Sequence, residues 1–141
     1  MRSPSYNKNW KKRWADVVKN DQDYDEINLV KIIVNKLKLM REYFVGCDCN
    51  IGDTKDAVES LTYAISLGER LIDNRFNDRV HEAFEKHAKH IHKDGVVHIV
   101  FDSKEGEEEC DREYRLAEEE CTKIEHEFWD TIKNNWRSWW D

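Results

Sequence analysis

Residues 110–131 read CDREYRLAEEECTKIEHEFWDT. Cys110, Tyr114, Ala117, Cys121, Ile124, Phe128 and Thr131 recur in alternating steps of four and three, a heptad seam. Charged residues fill most of the positions between them. An apolar stripe of that period with a charged back is a helix that buries one face. The pattern predicts a helix over 106–140, broadened at its end by Trp129, Trp136, Trp139 and Trp140. At about 1.5 Å per residue it would be about 50 Å long. In a chain of 141 residues such a helix either breaks or carries an oligomer interface.

The same period recurs upstream. A helix is predicted over 77–92, with Val80, Phe84, His87 and Ile91 on one face. Another runs over 54–72, with Thr54 as cap and Asp56 suiting its first turn. Val58, Leu61, Ile65 and Ile72 form its buried face, beside Ala57, Ala64 and Leu71, and Gly68 marks a close helix contact. The clearest helix spans 24–45, with Ile27, Val30, Val34, Leu37 and Phe44 in register, Ile33 and Met40 widening the stripe, and Gly46 fitting the stop. A short one over 7–19 opens on Asn7 and aligns Trp10, Trp14, Val17 and Val18, after a frayed lead-in at 1–6. Residues 20–23 read as a break and a new cap, and residues 47–53 as a loop. Asp94-Gly95 is a turn signal, and Val96–Phe101 is the one strand-like run. A lone strand must pair with another short segment, pair across a dimer or be absorbed into a helix. The chain reads as one mainly all-α domain over 1–141. It is a bundle of about five helices with a long C-terminal helix and one short strand or hairpin near 96–101.

Composition excludes several classes. Mean hydropathy is −0.91 and 38% of residues are charged, yet six Trp, five Tyr and five Phe are strong core formers, so a disordered chain is not expected. One Pro and five Gly argue against a turn-rich all-β protein. No apolar run suffices for a membrane span, and no apolar segment follows Met1 as a signal peptide would require. The expected compartment is a cytoplasm. The net charge of −7 argues against general nucleic-acid binding. Charge is unevenly spread: residues 1–20 hold six bases and one acid, whereas residues 102–130 hold thirteen acids and four bases.

Four Cys and six His raise the question of zinc. Cys47 and Cys49 are the donors such an ion would most readily find, but the spacings are not those of a standard finger. Cys110 and Cys121 fall on the seam, where a free thiol packs as a small apolar group. Facing Glu-x-x-His pairs, a Gly-rich phosphate loop, a Gly-x-Ser-x-Gly elbow and His-Glu-x-x-His are all absent, so no catalytic residues are assigned and no enzyme is expected. Two aromatic and basic clusters remain: Trp10, Lys11, Arg13 and Trp14 near the start, and Trp136, Arg137 and Trp140 near the end. Stacking indoles with cations beside them can hold a nucleobase and its phosphates. Helical spacing alone also accounts for Trp10 and Trp14 as core.

Trp14-Ala15-Asp16-Val17, the Asp-rich link at 21–25, Lys38-Leu39-Met40-Arg41-Glu42-Tyr43-Phe44, Leu67 with Glu69-Arg70-Leu71-Ile72 and Asn74, His87 in its Glu-Lys-His stretch, and the ending Trp136-Arg137-Ser138-Trp139-Trp140-Asp141 carry a resemblance. Together they resemble a group of small accessory proteins of tailed bacteriophages. The resemblance implies a phage origin, an α-helical fold and a place in the cytoplasm of the infected host, and it brings no catalytic residues. Accessory proteins of this kind often act on host systems, defence included. Three functions follow as expectations. The first is a non-enzymatic counter-defence protein, expected as an oligomer, that sequesters a small nucleotide-type ligand at the two Trp clusters. The second is an acidic inhibitor that binds a host protein, imitating the charge of DNA. The third is a structural oligomeric bundle with a zinc site.

Overall fold

The computed structural model describes residues 4–19, 25–46 and 54–139, with side chains from Lys11 onward. The order is α1 (Pro4–Lys19), α2 (Glu26–Gly46), α3 (Thr54–Asp73), a 3₁₀ turn (Arg75–Asn77), α4 (Asp78–His87), β1 (Ala88–Lys93), β2 (Val96–Phe101) and α5 (Lys104–Asn135). Five α-helices and a two-stranded hairpin among the described residues make the mainly helical fold that the periodicity predicts. The chain divides into two compact units, Met1–Asp73 with Ile124–Asp141, and Asn74–Lys123.

In the first unit, α1 opens at Pro4, before the expected Asn7, because a proline suits the first helical turn. Residues 4–6 are therefore helical rather than a frayed lead-in. Asp25 caps α2: its carboxylate accepts the Ile27 N–H at 3.0 Å and its carbonyl accepts that of Asn28 at 3.1 Å. Val30, Val34, Leu37 and Leu39 of α2 pack in a core with Ala57, Leu61, Ala64, Ile65, Leu67 and Leu71 of α3, and with Ile124 and Phe128 of α5. Ile27, Ile33, Met40, Phe44, Val58 and Ile72 are only half-buried. Gly68 is where the helices meet. A Cβ there would collide with Val34 and stand 2.9 Å from the Phe128 ring.

The second unit begins as Asn74 turns left-handed at φ 51°, ending α3. Here the structure corrects the expected helix over 77–92. α4 stops at His87, and Ala88 is already extended at φ −110° and ψ 144°. Ile91 continues the helical stripe by coincidence. What decides is Asp94-Gly95, at φ 52° and 75°, which suits a tight two-residue hairpin turn and folds β2 back on residues 88–93. The strands are antiparallel, with Ala88 opposite Phe101 and Lys93 opposite Val96. Of the three fates open to the strand-like run, pairing with a neighbouring segment is the one adopted.

α5 begins at Lys104, two residues earlier than expected. The Ser103 hydroxyl accepts the Gly106 N–H at 2.9 Å, and its carbonyl accepts that of Glu107 at 3.2 Å. The helix is unbroken for 32 residues. Along the seam Cys110, Ala117, Ile124 and Phe128 are buried, whereas Tyr114 is 55% exposed. The helix ends at Asn135 rather than 140. A turn closed by the Ser138 N–H on the Asn135 carbonyl, at 3.0 Å, follows it. That turn accompanies the burial of Trp139, 4% exposed, whose indole N–H donates to the Ser60 hydroxyl at 2.8 Å.

Candidate functional site

The second unit concentrates the chemistry. His87, the last residue of α4, places Nδ1 3.1 Å from both carboxylate oxygens of Asp102 and Nε2 2.6 Å from Glu109 of α5. A neutral imidazole has one N–H and can donate to only one of these carboxylates. The imidazolium donates to both. The hydrogen bonds to Asp102 and then Glu109 accordingly push the His87 pKa above its ordinary value. The same bonds hold both carboxyls below theirs, with Lys86, 3.9 Å from Glu109, adding to the effect there. The carboxylates occupy opposite nitrogens of one ring, so the three groups do not converge on a point where a metal could sit. Among the described residues no group of three His, Cys, Asp or Glu is placed to hold a metal ion.

This cluster is a tether. The Asp102 N–H donates to the His87 carbonyl at 2.8 Å, and Phe84 packs on Phe101 with ring centres 5.8 Å apart. Gly106 makes the approach feasible, since a Cβ there would lie 2.7 Å from His87 Nδ1 and collide with Asp102. A two-stranded hairpin is marginal alone. Here its root is fixed to α4 and to the start of α5.

Two surfaces flank the tether. Residues 104–123 of α5 carry nine acids and four bases, a net charge of −5. Glu105, Glu107, Glu108, Asp111, Glu118, Glu119 and Glu120 are exposed, and so are Tyr114 and Leu116 among them. Helical spacing puts Glu107, Asp111, Tyr114 and Glu118 on one stripe. The other surface is the hairpin, where Ile91, Val96, Val97, Ile99 and Val100 are each 46–55% exposed. Cys110, beneath the acidic face, is buried. Desolvation and then Glu109, Asp111 and Asp102 push its thiol pKa up, away from nucleophilic use.

Arg13 is 2.7 Å from Glu42 in an ion pair. Trp14 is half-buried and Lys11 is exposed. The Arg137 guanidinium lies over the Trp136 ring at 5.7 Å, and Trp136 is 47% exposed. Trp140, Cys47, Cys49 and the side chain of Trp10 lie outside the described residues. Sequence reasoning placed His87 on an apolar face and missed Asp102 and Glu109, which only the hairpin brings to it. No helix among the described residues is long and apolar enough to cross a membrane. No family model, curated protein or solved structure matches the chain.

Proposed function

We propose that this is a non-catalytic binding protein whose acidic α5 face engages a host protein with a basic, nucleic-acid-binding surface. One observation carries the reading: exposed carboxylates surround two exposed apolar side chains, Tyr114 and Leu116, on a helix whose start is tethered by His87. The carboxylates steer a basic partner, and the apolar pair supplies buried area once contact is made. The partner's own ligand, a polyanion, accounts for why an acidic face would compete.

The test is capture from host lysate by the immobilised chain, with Glu118→Lys/Glu119→Lys and Tyr114→Ala variants alongside. A basic protein is expected to be retained at low salt and lost near 1 M, where screening falls to about 3 Å. Both variants should lose it as well. Retention by the charge-reversed variant, or no capture at low salt, would overturn the proposal. The nucleotide-sequestering reading keeps one supporting observation, the exposed Trp136 with Arg137 over its ring. Nucleotides added to the same bait test it through Arg137→Ala, which should lower their retention.

A further inference from the structure

Strand alternation sorts the hairpin side chains into two faces. By register, His90 and His92 share one face with Val97 and Ile99 across the ladder, while Ile91 and His98 fall on the other. His90, His92, Val97 and Ile99 are all exposed. Neither histidine has a hydrogen bond or ion pair among the described residues, unlike His87. On a strand rising about 3.3 Å per residue, alternate side chains stand about 7 Å apart and point the same way. Two imidazoles so placed can lean onto one cation, at about 2.0–2.1 Å from each nitrogen. They supply two of the four donors that a closed tetrahedral site needs.

We infer that His90 and His92 form half of a zinc site, completed by the same pair from a second copy of the chain. A two-fold axis through the metal brings four imidazoles together, and the same operation turns Val97 and Ile99 of each copy toward one another. That covers apolar side chains which a single chain leaves in water. The chemistry selects a borderline transition ion and not a hard cation, because the donors are nitrogens. This surface is separate from the acidic α5 face, so it stands or falls without the proposed function.

The test is native mass spectrometry and sedimentation of the full chain with ZnCl₂ or with chelator, followed by Co²⁺ substitution. Zinc is expected to convert the 17.0 kDa chain into a species of twice that mass holding one metal per pair of chains. Co²⁺ should give the visible absorption of a tetrahedral centre without the charge-transfer band that thiolate ligands produce. His90→Ala/His92→Ala should lose the zinc-dependent dimer, and Val97→Lys should weaken it while keeping every donor. These positions are exposed, and circular dichroism will report that the variants fold. A chain that stays monomeric with zinc would overturn the inference. So would a dimer indifferent to chelator, a thiolate band pointing to the cysteines, or a double His variant that dimerises as wild type does.

Discussion

At His87 a single side chain decides how the hairpin is held. Its pKa is raised and those of Asp102 and Glu109 are lowered, so the charged trio is more stable folded than apart. The histidine's contribution is full below its unfolded value near 6.5 and is lost as pH rises through the raised folded value. The carboxylates' contributions are present above about pH 4 and are lost as pH falls through their depressed values. Stability of the second unit is therefore expected to peak between those limits. Titration of the His87 ring by NMR should give a pKa above 6.5, and His87→Gln should flatten the alkaline side of the thermal-midpoint profile. A profile unchanged by that substitution would contradict the tether.

Elements are fixed by contacts of one or two atoms. Gly68→Ala is the clearest case. Alanine is the better helix former by about 1 kcal/mol. Its methyl would meet Val34 and Phe128, both buried in a packed core, where excess volume costs about 1–3 kcal/mol. The clash wins, and denaturant unfolding should show a net loss of stability. An equal or greater midpoint would mean that α2, α3 and α5 are farther apart than described. Glycine in the middle of α3 was legible as a close contact, because a helix otherwise has no use for it. Buried Asn28 and Asn35 on α2 were not legible, since a polar residue carries no periodic signal that marks it as core.

At the largest scale, Trp139 joins the two chain segments of the first unit through a hydrogen bond to Ser60, 79 residues away. Trp139→Ala removes a large buried side chain, and such truncations cost about 3–5 kcal/mol. Trp139→Phe keeps most of the apolar area and forfeits the bond, a loss of about 0.5–1.5 kcal/mol. Chemical denaturation should rank the two in that order, and a reversed ranking would place Trp139 outside the core. The three-tryptophan ending had no single reading in sequence. Helical spacing cannot say that the helix stops at Asn135 and that the next turn sends one indole inward and leaves Trp136 exposed.

By itself the sequence determined the helices, because a 3.6-residue apolar period is a property of neighbours along the chain. It determined the acidic face of α5 for the same reason. Tertiary structure alone decided the end of α4, the pairing of residues 88–93 and the gathering of His87, Asp102 and Glu109. Each depends on a hairpin turn that reverses the chain and brings together groups up to 22 residues apart. Periodicity reads only one element at a time, so it extended α4 through Ile91. Two residues at positive φ, Asp94 and Gly95, redirected that segment into a strand.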